Sequence, residues 1–474
     1  MTTPRFRGAG RTLFLIVLCI FSWAAAAQTV AKNVIVLFAD GAASTQWELG
    51  RLATRELKNA SFLATDVVMR EGTLGLMANR PLGVLVTDSA AAATAMSIGQ
   101  RTANEMIGML PNGERPETLL KAARAAGKRI GLVTTAAVHD ASPAAMSVHA
   151  RNRRNAQQIV DQYLALEPEV LLGGGRDYFL PKGEPGGRRD DGKNVVTAFQ
   201  TKGYAYARNA GELQQADRPR VLGLFADGDL GYEIDRVPGE PTTAQMATAA
   251  LRALRDAPNG FVLFVENENV DTAGHRNDIA ALIRALWAFD EAVKVALEFQ
   301  RQHPDTLIVV TGDHETGGLS ITNAQADLGA QSASTRFYAA VAHFELVSRI
   351  TGSLDAAVRA LGATPDDAAI DRVLARFFPG FRMDDDLRAA LRENRMLERN
   401  FGYTSHSVLS RMVSRQTGIY WGTTGHTTEP PVVGALGPGA ERFRGYMDNT
   451  EFASRLRAAW GASTTRETGA AAPR

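Results

Sequence analysis

The stretch VENENVDTAGH, from Val265 to His275, has the residue types and spacing of a metal site. Asp271 and His275 are four residues apart, so on a helix they lie one turn apart and can face one cation. Glu266 precedes them at the end of the apolar run FVLFV. Histidine with aspartate is a typical ligand set for catalytic zinc, whereas all-oxygen sets suit magnesium. The stretch therefore predicts part of a metal centre.

Two other stretches contain histidines that could bind a metal ion. In TGDHETGG, Asp313 and His314 follow an apolar run, and in TTGHTTEP a single histidine, His426, lies in a Gly/Thr loop. One histidine alone is typical of a structural loop residue, but three with several carboxylates at predicted strand ends favour metal ligands. The remaining histidines that lack acidic neighbours in the sequence are interpreted as structural: His149, His303, His343 and His406.

The stretch VTDSAAAATAM places Asp88 and Ser89 before four alanines. Both residues are ordinary helix N-caps, yet a helix N-terminus also favours a phosphate. A serine hydroxyl is a weak nucleophile until its proton is removed, and no histidine nearby in the sequence is placed to remove it. We therefore expect a metal ion to activate Ser89 if it is a nucleophile.

A phosphate site in a chain with a net charge of only +1 needs one well-placed guanidinium. The stretch SPAAMSVHARNRRN offers Arg151, Arg153 and Arg154, and the residues alone do not choose among them. The chain has 52 basic and 51 acidic side chains, so no overall charge attracts nucleic acid or acidic lipid.

The elements that must position these residues follow one theme along the chain. Short apolar runs end directly before polar residues: NVIVLF before Asp40, GVLVT before Asp88, RIGLVTT before Asp140 and Ser142, and TLIVVTG before Asp313. Helical patterns lie between the runs, as in TTAQMATAALRALRDA. Strands buried on both faces and alternating with helices predict an α/β fold with a doubly wound, mostly parallel central sheet and helices on both faces. Ligands of such sheets bind at the carboxyl ends of the strands.

Two segments stand apart from this pattern. Residues 1–27 have basic residues, the apolar run TLFLIVLCIFSW and a small-residue end, which predicts a signal peptide and an exported protein in the periplasm or outside the cell. The sole cysteine, Cys19, lies in that segment, so the mature chain, 28–474, has no thiol chemistry. Residues of about 320–418 turn helical and charged, and we expect an inserted cap over the site.

Five stretches in order, VTDSAAAATA, HDASPAA…HARNR, VENENVDTAGH, TGDHETGG and TTGHTTEP…GPGAERFRGYMDNTE, resemble alkaline phosphatases, the resemblance running from about Asn33 to Phe452. It implies hydrolysis of phosphate monoesters through a phosphoserine, with two zinc ions and one magnesium ion. It further implies a homodimer, small-molecule substrates and no stable membrane span after signal cleavage. A phosphodiesterase or phosphotransferase on the same scaffold, and an inactive metal- or phosphate-binding homologue, are the alternatives.

The resemblance also implies a role for each matching residue. Ser89 matches the nucleophile, Arg153 the phosphate-binding arginine and Asp88 the acid that orients this arginine. The matching metal ligands are Asp271, His275 and His426 for the first zinc, Asp40, Asp313 and His314 for the second, and Asp40, Ser142 and Glu266 for magnesium, which Asp140 contacts through water.

Three positions depart from the family pattern. Asp40 is followed by GAAST where a Gly-Met-Gly type turn is usual, and Ser142 stands where many members have threonine. Thr272 replaces the lysine, histidine or tryptophan often found after this aspartate. Because that position lies near the phosphate and the third cation in the family, Thr272 leaves the identity of the third cation open.

Overall fold

The structure, a computed structural model, describes residues 30–325 and 336–462. The strands in these residues are β1 (Asn33–Ala39), β2 (Thr73–Ala78), β3 (Arg129–Ala137), β4 (Val170–Gly174), β5 (Ala205–Ala207), β6 (Val221–Leu224), β7 (Phe261–Asn267), β8 (Thr306–Thr311), β9 (Glu315–Thr316), β10 (Ser320–Ile321), β11 (Asn323–Gln325), β12 (Arg336–Tyr338), β13 (Ile419–Tyr420), β14 (His426–Thr427), β15 (Val432–Leu436) and β16 (Gly445–Asp448).

The α-helices lie between and after these strands. They are α1 (Ser44–Lys58), α2 (Ser89–Ile98), α3 (Leu119–Ala125), α4 (Ala141–Ala145), α5 (Ala156–Leu166), α6 (Val195–Thr201), α7 (Ala210–Gln215), α8 (Thr243–Leu254), α9 (Asn269–Arg276), α10 (Ile279–Gln302), α11 (Val341–Ser348), α12 (Leu354–Leu361), α13 (Asp367–Phe377), α14 (Asp385–Arg392), α15 (Thr404–Thr417) and α16 (Phe452–Ala459).

Ten strands form one sheet in the order β16-β2-β15-β8-β1-β7-β3-β4-β6-β5. All neighbouring pairs are parallel except those that β15 makes with β2 and β8. The three smaller sheets are pairs of short strands. The predicted α/β fold with a mostly parallel sheet is confirmed.

Helices cover both faces of the sheet because its central strands are apolar throughout. In β1, Ile35 and Leu37 belong to one hydrophobic core with α1, α8 and α10, whereas Val34 and Val36 belong to a second core with α2, α5 and α16. Alternate side chains of a strand point to opposite faces, so a run such as NVIVLFA fits a strand that is buried on both sides.

The run GVLVT before Asp88 is not a strand, and the prediction there was wrong. Residues 81–86 lie in an irregular segment, and Leu85 is 69% exposed. Gly83 has a φ of +84°, a left-handed conformation that interrupts an extended strand. Apolar composition alone does not separate a buried strand from an exposed segment of the same length.

The segment predicted as a cap contains α11 to α15 and short strands, with residues 326–335 outside the described residues. Its helix α11 packs against α1 and α10. The predicted signal peptide, residues 1–27, and Cys19 lie outside the described residues as well. Among residues 30–325 and 336–462, no helix is long and apolar enough to cross a membrane.

Candidate active site

The predicted site residues meet at the carboxyl ends of three adjacent strands. In the sheet, β1 lies between β7 and β8, so Asp40 after β1, Glu266 in β7 and Asp313 after β8 come to one edge. Phe38 is in register with Glu266 and with Thr311. Residues about 270 positions apart in the sequence thereby share one site, as strand ends of a parallel sheet require.

Helix α9 carries Asp271 and His275 on one face. His275 Nε2 lies 3.2 Å from Asp271 Oδ2 and 3.0 Å from His426 Nε2. The other ring nitrogens donate to carbonyl oxygens, His275 Nδ1 to Thr424 and His426 Nδ1 to Thr87, each at 2.7 Å. Because each Nδ1 donates to a carbonyl oxygen, Nε2 is the nitrogen of each ring that faces the site and can bind a cation once it is deprotonated, as in ligating histidines.

Two sets of side chains have potential ligand atoms within 4.8 Å of one another: Asp40, Asp313 and His314, and Asp271, His314 and His426. The first matches the set expected for the second zinc. The second set differs from the one expected for the first zinc, because it contains His314 in place of His275. His275 nevertheless lies directly beside Asp271 and His426. Since His314 belongs to both sets, the two candidate sites adjoin.

Two carboxylate oxygens without a hydrogen-bond partner indicate whether Asp40 and Asp313 could bind a cation. Asp40 Oδ1 and Asp313 Oδ2 are buried and accept no hydrogen bond. Burial, followed by repulsion from Asp313 and Asp271, raises the pKa of Asp40 well above its ordinary value. Burial likewise raises the pKa of Asp313 to about 7. Buried anions that lack partners need a neutralising charge, and a divalent cation supplies it.

The imidazoles have opposite electrostatic environments. Burial, followed by the charge of His426, holds the pKa of His314 well below its ordinary value, so His314 is neutral, the form that ligates metals. For His275 burial acts in the same direction, but Asp271 outweighs it and raises the pKa to about 9. Although burial opposes it, the histidines hold the pKa of Asp271 well below its ordinary value.

The residues predicted for magnesium also lie together. Ser142 Oγ donates to Asp40 Oδ2 at 3.1 Å. Thr134 Oγ1, which the sequence reasoning missed, donates to Glu266 Oε2 at 2.5 Å. Burial raises the pKa of Glu266 to about 8, and Asp140 contributes in the same direction. The cluster is rich in oxygen atoms, which suits a hard cation.

Ser89 is the first residue of α2, and its side chain is buried against His314. Its Oγ lies 3.1 Å from His314 Nε2, the nitrogen that is 3.3 Å from Asp313 Oδ2. The sequence reasoning missed this contact because it looked for a histidine close to Ser89 in the chain. A neutral imidazole with a strongly lowered pKa is a poor base, so the contact favours a shared cation.

Arg153 is the arginine that reaches the site. Its guanidinium lies 3.0 Å from Asp140 Oδ1 and 3.6 Å from Asp88 Oδ2. Arg151 is exposed, and Arg154 is paired with Glu105 on the surface. Asp88 also caps α2, accepting a hydrogen bond from the Ala91 amide at 2.9 Å.

A cavity of about 800 Å³ is lined by Ser89, Asp140 and Arg153 and extends to Thr272. The Thr272 hydroxyl donates to Glu268, a second residue that the sequence reasoning missed, although it lies within the quoted stretch VENENVDTAGH. Burial, followed by repulsion from Asp229, raises the pKa of Glu268 well above its ordinary value. This wall of the cavity is therefore acidic.

The turn after Asp40, where the sequence departs from the family pattern, is made by Gly41. Its φ is +76°, and a Cβ there would lie 2.8 Å from the Cα of Asp271. Its amide donates to Asp313 Oδ1 at 3.5 Å. Only glycine allows this approach of backbone and α9.

Comparisons with known proteins agree with this geometry. The sequence profile described as alkaline phosphatase matches residues 31–462. Alkaline phosphatase 4 of Bacillus subtilis is 30% identical over 435 residues, covering 89% of this chain and 87% of its own. The crystal structure of Thermus thermophilus alkaline phosphatase superposes with a TM-score of 0.81 at 28% identity, covering 94% of this chain and 96% of that one.

A cold-active alkaline phosphatase from a psychrophilic Shewanella species superposes with a TM-score of 0.74 at 31% identity. The match covers 90% of this chain and 99% of the Shewanella chain. Sequence profile, relatives and solved structures agree over most of the length. The chain therefore belongs to the alkaline phosphatase family, whose members hydrolyse phosphate monoesters.

Proposed function

We propose that the chain hydrolyses phosphate monoesters through a phosphoserine formed on Ser89. The observation that carries this proposal is the position of the Ser89 hydroxyl, 3.1 Å from the imidazole that both candidate ligand sets share. A phosphate beside Ser89 also lies at the N-terminus of α2, where free amides and the helix dipole favour an anion.

The donor sets fit three divalent cations, which we assign as two zinc ions and one magnesium ion. When bound, they lower the pKa of nearby hydroxyl groups and stabilise negative charge on phosphate oxygens. Thiolates are absent from residues 28–474, so histidine and carboxylate must supply the ligands. The residues that would hold the cations are Asp271, His275 and His426, then Asp40, Asp313 and His314, and finally Asp40, Ser142 and Glu266, and Asp140 would contact magnesium through water.

The side chains around Ser89 then bind and orient the substrate. Arg153 donates two hydrogen bonds to non-bridging oxygens, a geometry that favours a dianionic monoester over a diester. Asp140 and Asp88 orient its guanidinium. Ser89 Oγ loses its proton to solvent and attacks phosphorus, forming the Oγ–P bond as the bond to the alcohol oxygen breaks and that oxygen takes up a proton from solvent. Water then cleaves the Oγ–P bond and releases inorganic phosphate.

The test is hydrolysis of para-nitrophenyl phosphate, together with labelling of the protein by radioactive phosphate after acid quenching. We expect chelation to abolish hydrolysis and zinc with magnesium to restore it. Ser89→Ala should lose both turnover and label. Ser97→Ala is the control, since Ser97 lies on the same helix, accepts from the Leu119 amide and is not part of the cavity lining. Chelator-insensitive turnover, or a labelled Ser89→Ala protein, would contradict the proposal.

A phosphodiesterase or phosphotransferase on this scaffold is the second candidate. It predicts faster turnover of bis-para-nitrophenyl phosphate than of the monoester, or label transfer to an added alcohol in preference to water. An inactive homologue predicts zinc binding without turnover of either ester. Relative rates on the two esters, measured with and without an added alcohol, separate these alternatives.

We also propose a homodimer. Exposed apolar side chains occur in the segment before Asp88 and on the adjacent edge of the sheet, where β2 pairs with β16: Leu74, Leu76, Leu82, Val84, Leu85 and Tyr446. Apolar surface of this kind is usually covered by a partner, and the family resemblance points to a second copy. Sedimentation should give a dimer for the unchanged protein and a monomer for Leu85→Glu. Val237→Glu, at a position 49% exposed, is the control.

We further propose that residues 1–27 are a signal peptide that directs export. Arginines followed by an apolar run and alanines support this assignment. Mass spectrometry of protein recovered outside the cytoplasm should find an N-terminus at Gln28. Recovery of a chain that retains Cys19 would contradict it.

The inserted segment of about 320–418 is proposed as a cap on the α/β domain formed by the rest of the mature chain, 28–474. Support comes from Tyr403, which lines the cavity together with Ser89 and Arg153.

A further inference from the structure

The cavity over Ser89 has two tyrosines in its lining, Tyr178 and Tyr403, besides its charged residues. Tyr178 packs edge-on against His139, at 5.1 Å between ring centroids. Tyr403 comes from the inserted segment, directly before α15, and is 48% exposed. The reaction proposed above uses neither ring, so both are free to contact the part of the substrate that leaves.

The backbone at Tyr403 is held in an unfavourable conformation. Its φ is +51°, in the left-handed region that large side chains rarely adopt. Such a conformation persists only where surrounding contacts fix it, and these positions cluster at ligand sites. The conformation therefore directs attention to what the Tyr403 ring contacts.

Arg276 fixes the ring from one side. Its guanidinium lies over the Tyr403 ring at 3.9 Å from the centroid, and its Nε donates to Asp355 Oδ1 at 3.1 Å. His406 Nε2 lies 2.7 Å from the same carboxylate oxygen. His406 has no acidic neighbour in the sequence, and the fold supplies one from the distant Asp355. Arg276, Asp355 and His406 together hold Tyr403 at the cavity.

We propose that Tyr403 is a specificity-determining residue that binds the leaving group of monoesters whose alcohol carries an aromatic ring. One face of the tyrosine ring is occupied by Arg276, and the exposed remainder faces the cavity in which the leaving group must lie. Aromatic rings attract each other in offset or edge-on arrangements, beyond the gain from burial. The inference rests on the proposed monoesterase function and adds a preference to it.

The test compares benzyl phosphate with ethyl phosphate, two monoesters of primary alcohols that differ in the ring. Tyr403→Asn removes the ring, and asparagine tolerates the left-handed backbone. We expect kcat/KM for benzyl phosphate to fall about 3- to 10-fold and that for ethyl phosphate to change less than about 2-fold. Tyr403→Phe should retain the preference. Tyr338→Asn is the matched control, because Tyr338 is 58% exposed on strand β12 of the same inserted segment and lies outside the cavity lining.

Binding provides a readout that does not depend on turnover. Inhibition by benzylphosphonate should weaken about 3- to 10-fold in Tyr403→Asn, while inhibition by inorganic phosphate stays unchanged. An equal loss for both substrates would mean that Tyr403 has only a structural role, and no change for benzyl phosphate would also overturn the inference. An unchanged protein that hydrolyses neither ester would overturn the proposed function, and the inference with it.

Discussion

Both carboxylate oxygens of Asp140 accept hydrogen bonds from one guanidinium nitrogen of Arg153, at 3.0 and 3.3 Å. The resemblance implied that Asp88 orients this arginine, but the Asp88 contact is longer, at 3.6 Å. Asp140 is thus the main partner of Arg153. The guanidinium is oriented before a phosphate arrives.

Loss of this orientation should weaken phosphate binding. In Asp140→Asn the amide keeps the shape but loses the charge, and we expect the inhibition constant of inorganic phosphate to rise about 3- to 10-fold. Arg153→Lys loses the bidentate hydrogen bonding of the guanidinium, so it should raise the inhibition constant of inorganic phosphate about 10- to 100-fold. Arg154→Lys is the control, since that side chain is 80% exposed and lies outside the cavity lining. Equal effects of the two lysine variants would contradict the role of Arg153.

Chelation should destabilise the protein as well as inactivate it. Asp40 and Asp313 repel each other when no cation separates them, and each has an unpartnered buried oxygen. We expect the midpoint of thermal unfolding to fall by about 5–15 °C on chelation and to recover with zinc.

The chelated protein offers a sharper comparison. Asp313→Asn removes one of the repelling charges, so its chelated form should unfold at a higher temperature than the chelated unchanged protein, and zinc should raise its midpoint much less. If chelation left the unchanged protein's midpoint where it was, the two carboxylates would not be metal ligands.

Asp290, which belongs to neither candidate set of metal ligands, gives a pH dependence of stability. Its side chain accepts from the amides of Leu63 and Ala64, at 3.0 and 2.9 Å, and burial raises its pKa to about 7. Because the folded-state pKa lies above the unfolded value, the stabilisation is complete below about pH 4 and is lost as the pH rises to about 7.

Relative to Asp290→Asn, the free energy of unfolding of the unchanged protein should therefore decrease between pH 4.5 and 7.5, by at most about 4 kcal/mol. The asparagine adds a cost that is the same at every pH, so the difference in slope is the quantity to measure. Urea unfolding across this range checks it, and parallel slopes would rule out the raised pKa.

The alanines of α2 leave no room for larger side chains. All ten residues of the helix are buried, and it packs against α4 and α16. Ala93→Leu should lower the free energy of unfolding by about 1–3 kcal/mol through overpacking. Ala125→Leu, on an exposed position of α3, should change it little. Urea unfolding of both variants tests this, and similar values would show that α2 is not tightly packed.

The sequence allowed prediction of most of the site because Asp40, Glu266 and Asp313 follow apolar runs that became buried strands. Periodicity also identified the one-turn pair of Asp271 and His275. Neither argument depends on contacts between distant residues. Apolar runs and helical periodicity predict the strands and helices on which the candidate ligands lie.

Contacts between distant segments could not be predicted in this way. His314 reaches Ser89 from 225 residues away, and Thr134 reaches Glu266 from 132. Nothing local marks either pair, because the order of strands in the sheet decides which ends meet. The exposed segment before Asp88 was misread for a different reason: its composition matches that of a buried strand, and only Gly83 hints otherwise.

The central position of β1 between β7 and β8 has a consequence for biogenesis. A ribosome releases Asp40 early, but Asp313 and His314 follow only after roughly two thirds of the chain, and His426 later still. Sheet pairing over such separations forms late, after the intervening chain has been ordered. A nascent chain therefore cannot complete the set of Asp40, Asp313 and His314 before roughly two thirds of the polypeptide has been made, and the set that includes His426 is completed later still.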